Sequence, residues 1–211
     1  MTNTNIYLVR HGQTKWNVKG KMQGHMDSPL TIEGKVQAAR LKERLRPVPF
    51  DAIFSSSSLR AVTTAQIISE RKPDDIHQLE ALKEINMGFW EGQHIASIQK
   101  EWTREFEHFF EKPHLYRPTG QGETYEELLE RALPAMEGII SKYKGGSILV
   151  VTHRMTLKTI LNYYSGNRLD GMGNMPDIPP ASLSKITIRD AHPIVELYGD
   201  ASHYETLTKV R

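Results

Sequence analysis

The sequence predicts an α/β fold with a mostly parallel central sheet, and three observations carry that prediction. Apolar runs of strand length alternate with amphipathic stretches of helix length along the chain. Three of the runs stop abruptly at polar groups: Ile6–Val9 at Arg10-His11, Ala52–Phe54 at Ser55-Ser56, and Ile148–Thr152 at His153. Gly12 follows the first of them and lets the backbone turn tightly against a ligand. In a parallel sheet such ends share one edge, where open α/β folds carry their ligand crevices.

Taken in order, Asn5–Val9 is the first strand, followed by Trp16-Asn17 and the polar segment Lys19–His25. Ser28-Pro29-Leu30-Thr31 opens a helix with Thr31 as its N-cap. Val36, Ala39, Leu41 and Leu45 are expected on its apolar face, Gly34 is a tolerated cost, and Pro47 and Pro49 end it. The second strand, Asp51–Ser56, leads to Arg60 at the start of a helix that turns Ala61, Ala65, Ile67 and Ile68 to the core. His77–Ile85 is expected as a third, shorter strand reaching Glu84. Glu91–Phe110 reads as a helix with its Trp and Phe residues spread around the wheel.

Pro113, Pro118, Gly120 and Gly122 make Lys112–Gly122 a loop. Glu123–Tyr143 is an amphipathic helix with Pro134 as an expected kink. Gly145-Gly146 leads into the strand Ser147–Thr152, and a helix continues past His153 through Leu157, Ile160 and Leu161. Gly166–Pro180, with three glycines and three prolines, should be irregular. Leu183–Ile188 and Ile194–Tyr198 are two last strands joined by a turn near Asp190–Pro193. No repeat or linker divides the chain, so 1–211 is expected to be one domain, with a lid within 91–122.

A chain of 211 residues can bury a substantial core, and 38% hydrophobic with 25% charged residues is the composition of an ordinary globular protein. The net charge of +2 points to neither nucleic acid nor a membrane surface. Without cysteine there is no disulfide, thiolate nucleophile or cysteine-based zinc site. The polar stretch Met1–Asn5 is not a signal peptide, and no apolar run approaches the roughly 18 residues that span a bilayer. A cytoplasmic protein is expected. Nothing fixes an oligomeric state.

The strand ends bring together two arginines (Arg10, Arg60), two histidines (His11, His153) and a carboxyl (Glu84). Arginine is always charged and offers a planar fork suited to phosphate. Two arginines and a protonatable histidine match a phosphomonoester dianion and its loose transition state. One neutral imidazole can then take the phosphoryl group as a nucleophile. The carboxyl can protonate the leaving alkoxide and later deprotonate water, with Phe89 and Trp90 as its expected apolar surroundings. A metal at His11 and His153 is disfavoured by the flanking cations, and the other histidines lack ligand spacing. No cofactor is expected, and the partner is a small-molecule phosphate ester.

The run Leu8-Val9-Arg10-His11-Gly12-Gln13-Thr14-Lys15-Trp16-Asn17 resembles the defining motif of the histidine phosphatase superfamily, which includes the phosphoglycerate mutases. The likeness continues in order through Gln23-Gly24, Asp27-Ser28-Pro29-Leu30-Thr31, Gly34, Ser55-Ser56 with Arg60-Ala61, and Thr64-Ala65. It then takes in Leu82, Glu84, Gly88, Trp90-Glu91-Gly92, Gly122-Glu123-Thr124 and Val151-Thr152-His153. The resemblance implies a three-layer sandwich with helices on both faces of the sheet. It also implies His11 as the phosphorylated nucleophile and Glu84 as proton donor and acceptor. Arg10, Arg60 and His153 would surround the phosphoryl group with Asn17 as a further contact, and Gln23 and Gly24 would lie along the rest of the substrate.

Two positions depart from the family pattern. Ser58 stands where a leucine is usual, which bears on packing. Arg154 stands where a glycine commonly follows the second histidine, and it adds a cation expected to hold a second anionic group. The implied activity is metal-independent phosphomonoester hydrolysis. The alternatives are a phosphoglycerate mutase-type transfer and, in another class, a non-catalytic phosphate-ligand sensor. Glu84 and His153 are 69 positions apart, short for the capping insertion of a cofactor-dependent mutase, which favours hydrolysis. An aromatic lid supplied by Trp102, Phe106, Phe109, Phe110 and Tyr116 would suit an apolar ester.

Overall fold

A computed structural model describes residues 3–205; Met1 and Thr2 of the polar N-terminal stretch and residues 206–211 lie outside the described residues. Along the chain run β1 (Thr4–Arg10), α1 (Lys15–Val18), α2 (Ile32–Leu45), β2 (Ala52–Ser56), α3 (Leu59–Ser69) and β3 (His77–Leu79). They are followed by α4 (Ile95–Glu101), α5 (Thr103–Glu111), α6 (Tyr125–Lys142), β4 (Ser147–Thr152), α7 (Arg154–Tyr164), β5 (Leu183–Arg189), β6 (His192–Asp200) and α8 (Ser202–Glu205). The strands form one sheet in the order β3-β2-β4-β1-β5-β6. The pairings β1–β4, β2–β4 and β2–β3 are parallel, and β5 and β6 are added through antiparallel pairings.

Alternate side chains of each central strand enter two different cores, as a sheet covered on both faces requires. Ile6, Leu8, Phe54, Ile148 and Val150 pack with Leu128 and Met136 of α6 and with Leu157 and Ile160 of α7. Val9, Ile53, Leu149 and Val151 pack on the other side with Leu41 and Leu45 of α2 and with Ala61 and Ala65 of α3. The helices therefore form layers above and below the sheet. Among the described residues no helix is long and apolar enough to cross a membrane.

Caps begin and end these elements as local chemistry dictates. The Thr31 side chain accepts a hydrogen bond from Gly34 N–H at the start of α2, and Thr124 with Glu127 forms a reciprocal capping box on α6. Pro134 lies within α6, which continues past it.

Several expectations are corrected. Val36 is exposed, and Ala38 and Gln37 occupy the buried face of α2. Gly34 is a steric requirement: a Cβ there would lie 2.1 Å from the Gln13 carbonyl oxygen, so the glycine lets α2 close on the turn after β1. The third strand ends at Leu79 and gives way to a 3₁₀ turn over Glu80–Leu82, so Glu84 lies outside the sheet. The single helix expected over Glu91–Phe110 is two helices broken at Trp102, whose φ of −123° and ψ of 53° are non-helical.

That break explains the aromatics around the wheel. Trp90, which precedes α4, packs with its ring centroid 5.6 Å from both Phe109 and Tyr116, and Trp102 and Phe106 complete the cluster. Segment 91–122 thus carries an aromatic core continuous with that of the sheet.

Candidate active site

Arg10 ends β1, His11 follows it, Ser56 ends β2, and His153 follows β4 as the residue before α7. Parallel pairing of β1 with β4 sets Arg10 beside Thr152 and carries both histidines to the same edge. The backbone of His11 is held by its N–H to Thr152 O (2.9 Å) and by Ala181 N–H to its own carbonyl (3.1 Å). Gly12 N–H donates to Thr64 Oγ1 (3.1 Å), and a Cβ at Gly12 would meet the Gly34 carbonyl at 2.5 Å. The turn is therefore locked against α2 and α3.

His11 is buried, and its Nδ1 lies 2.8 Å from the Gly12 carbonyl oxygen. A carbonyl only accepts, so Nδ1 carries the proton and Nε2 keeps its lone pair. Burial, then the positive fields of Arg60 and Arg10, hold the His11 pKa well below 6.5, outweighing the opposing Gly12 hydrogen bond. His153 is fully buried with its ring centroid 5.2 Å from that of His11. Its pKa is likewise held well below 6.5 by burial, then by Arg60 and His11. His153 Nε2 lies 2.7 Å from Ser56 Oγ, which already accepts from Ser58 N–H at 3.3 Å. We assign the Ser56 proton to Nε2, which leaves Nδ1–H as the free donor.

Arg60 is 1% exposed and fully built in: Nη1 donates to Met26 O (2.8 Å) and Asp27 Oδ1 (3.0 Å), and Nη2 to Gly24 O (2.8 Å). Arg10 Nη1 donates to Ile178 O at 2.5 Å. Burial, and next the charge of Arg154, bring the Arg10 pKa down to about 10. Arg10 Nε, Arg60 Nε and His153 Nδ1 are buried and make no hydrogen bond within the described residues. Three buried donors without acceptors at one sheet edge are costly, and an anion would satisfy them.

Glu84 is buried beside the first turn of α7. Its Oε1 accepts from Ile85 N–H (2.9 Å), Thr156 N–H (3.0 Å) and Thr156 Oγ1 (3.1 Å), and its Oε2 from Met155 N–H (3.1 Å). The apolar surroundings expected from Phe89 and Trp90 are corrected: Phe89 is 66% exposed, and Trp90 is committed to the aromatic cluster. Backbone amides surround the carboxyl instead.

One cavity of about 80 Å³ at this edge is lined by Arg10, His11, Arg60 and Glu84, and also by Asn17, Gln23, Gly24 and Arg154. His153 is the one predicted site residue outside its lining. It stands against His11. Asn17 Oδ1 accepts from Thr14 N–H (2.9 Å) and Thr14 Oγ1 (3.0 Å) and caps α1, so only its Nδ2 remains for a ligand. Gln23 Oε1 lies 3.1 Å from the same Thr14 Oγ1, whose single proton is shared between Asn17 and Gln23. Met22, Met87, Ile95, Phe109, Phe110 and Met155 form an apolar wall. Of the five aromatics expected over the pocket, Phe109 and Phe110 reach it. A larger groove of about 1090 Å³ opens at the far end of the sheet, near Thr4 and Tyr164, and contains none of these groups.

Four supporting residues carry no individual signal in the sequence. Asp27 fixes Arg60. Glu91 accepts from His25 N–H (2.8 Å) and Met26 N–H (2.9 Å), holding the loop whose Gly24 carbonyl meets Arg60. Arg131 donates to the Glu84 carbonyl (2.9 Å) and pairs with Glu123 (2.6 Å), fixing the main chain that carries Glu84. Asp177 holds Arg154 (2.6 Å) and Ile178 N–H (2.8 Å). Asp27, Glu91 and Glu123 stand within the motif runs, but nothing local gives them these roles.

The depressed histidine pKa values make stability depend on pH. Unfolded His11 and His153 titrate near 6.5 and the folded ones well below, so the unfolded chain binds more protons as pH falls through 6.5. Their contribution is full above that pH. Below it, stability is expected to fall by about 1 kcal/mol per pH unit for each of the two. Thermal melts from pH 7.5 to 5 check this, and a Tm independent of pH would contradict it.

The sequence profile described as "Histidine phosphatase superfamily (branch 1)" matches residues 6–201. The chain is 32% identical over 209 residues to a metal-independent phosphoserine phosphatase of Arabidopsis thaliana, covering 97% of this chain and 84% of that one. It is 30% identical over 208 residues to the probable phosphoglycerate mutase GpmB of Salmonella arizonae, covering 95% and 94% respectively. Among solved structures, Bacillus stearothermophilus YhfR superposes with a TM-score of 0.89 at 40% identity, covering 95% of this chain and 98% of that one.

Proposed function

Because the chain belongs to the histidine phosphatase superfamily, branch 1, we propose that it hydrolyses small phosphate monoesters without a metal, through a phosphohistidine at His11. The observation that carries the reading is a neutral, buried imidazole with a free Nε2 beside three buried donors that lack acceptors. His11 Nε2 attacks phosphorus in line with the ester bond and forms the N–P bond as the P–O bond breaks. Arg10, Arg60 and His153 Nδ1–H hold the equatorial oxygens. The departing alkoxide takes a proton from Glu84. Water then attacks the phosphohistidine, gives its proton to Glu84, and frees His11 and orthophosphate. Arg10 and Arg60 supply the positive charge for which other phosphatases use a metal.

Transfer to a bound acceptor is the second reading, supported by the likeness to a probable phosphoglycerate mutase. It shares the first half-reaction. Phosphate release from p-nitrophenyl phosphate in excess chelator tests the proposal. No release, with conversion of 3-phosphoglycerate primed by a trace of bisphosphoglycerate, would replace hydrolysis by transfer.

Ser56 has a positioning role through His153. Ser56→Ala is expected to lower kcat by about tenfold with little change in KM, because the imidazole loses the partner that aims Nδ1–H at the phosphoryl group. Ser56→Thr keeps the hydroxyl and should restore most of the rate. Equal losses in the two variants would make the effect one of packing.

A further inference from the structure

Arg154 is the first residue of α7 and directly follows His153. A cation in the first turn opposes the helix dipole, and its neighbour across the cavity, Arg10, is also positive. The side chain is nonetheless fixed there. Its Nε donates to Asp177 Oδ1 (2.6 Å), and its Cζ lies 5.3 Å from the Phe110 ring centroid. Among the described residues neither Nη group makes a hydrogen bond, so the outer half of a planar fork is pre-oriented and unused at the cavity wall. Such a fork takes a carboxylate bidentately.

We propose that Arg154 selects substrates that carry a carboxylate in addition to the phosphoryl group, an assignment that rests on the phosphoryl site proposed above. Charge narrows the ligand further. Asp177, paired with Arg154 at 2.6 Å, already balances the charge of its guanidinium. A guanidinium so balanced suits a carboxylate better than a second phosphoryl dianion. Asp177 occupies Arg154 from the protein side, as an internal competitor of the substrate carboxylate.

The test is titration calorimetry at pH 7.5 with two phosphonates of equal length, 3-phosphonopropionate and propylphosphonate, which require no turnover. The wild type is expected to bind the carboxylate compound about tenfold to a hundredfold more tightly. Arg154→Met should bring the two within about threefold of each other. Asp177→Asn should widen the preference, since Asn keeps the Oδ1 that accepts from both Ile178 N–H and Arg154 Nε–H while removing the competing negative charge.

Equal binding by the wild type, or the same preference in Arg154→Met, overturns the assignment. Tighter binding of 1,2-ethylenediphosphonate than of 3-phosphonopropionate overturns the carboxylate. Binding of neither phosphonate overturns the phosphoryl site and this inference with it. A wild-type preference abolished in Arg154→Met supports Arg154 even in a protein that releases no phosphate, in which case hydrolysis alone falls. Should Arg154→Met fail to fold, Asp177→Asn decides: an unchanged preference there overturns the proposal.

Discussion

His11→Ala is expected to lower phosphate release from p-nitrophenyl phosphate by at least about 10⁴-fold, because among the described residues no other imidazole lines the cavity. His153 does not line the cavity, and its Nε2 is engaged by Ser56. The variant should still bind a phosphonate, since Arg10, Arg60 and His153 remain. That separates loss of chemistry from loss of the site. The same variant should form no phosphoenzyme. Wild type quenched during turnover of a labelled ester should carry alkali-stable, acid-labile phosphate, as a phosphoramidate does. Retention of a tenth of the wild-type rate, or label in the variant, would remove His11 from the nucleophile's role.

Glu84→Gln is expected to cost about 10²- to 10⁴-fold with an alkyl phosphate, whose leaving alkoxide needs a proton. With p-nitrophenyl phosphate the first step should be far less affected, because nitrophenolate leaves unprotonated. The second step still requires a base for water. A burst of nitrophenolate followed by slow turnover is therefore expected, and rapid-mixing kinetics would show it. Equal losses in the first, phosphoryl-transfer step for alkyl and aryl esters would exclude proton donation. The substitution also has a structural cost. Glu84 accepts three backbone N–H groups and one hydroxyl, and an amide presents a donor to one of them, at about 1–3 kcal/mol. Arg131 still holds the Glu84 carbonyl, so the backbone should stay in place and a thermal melt will separate stability from chemistry.

Much of this architecture is written locally. The buried strands at Ile6–Val9 and Ser147–Thr152, the Thr31 cap and the terminal hairpin follow from side-chain period, capping chemistry and turn residues within a few positions of each other. Strands that end at Arg10-His11, Ser55-Ser56 and His153 place those groups along one edge of a parallel sheet, so the chain itself makes the set of candidate groups legible. Local rules fail where contact across the chain decides. Val36 fits the apolar period of α2, but the helix turns Gln37 inward, where its Oε1 accepts from Gln13 N–H (3.2 Å). Gly34 is a cost by helix propensity alone, yet the Gln13 backbone packs where any Cβ would stand. The aromatics of 91–110 have no single helical face because Trp102 breaks the helix.

The sequence by itself determined the fold class and the strand ends that carry Arg10-His11, Ser55-Ser56 and His153, because each depends on patterns short enough to be read along the chain. Only the tertiary structure decided how those groups are held. Ser56 engages His153 from 97 residues away, and Ile178 takes Arg10 from 168 residues away. Asp177 leaves Arg154 with half a fork to offer. Partners that distant are chosen by the packing of two cores on one sheet, and no local period encodes them.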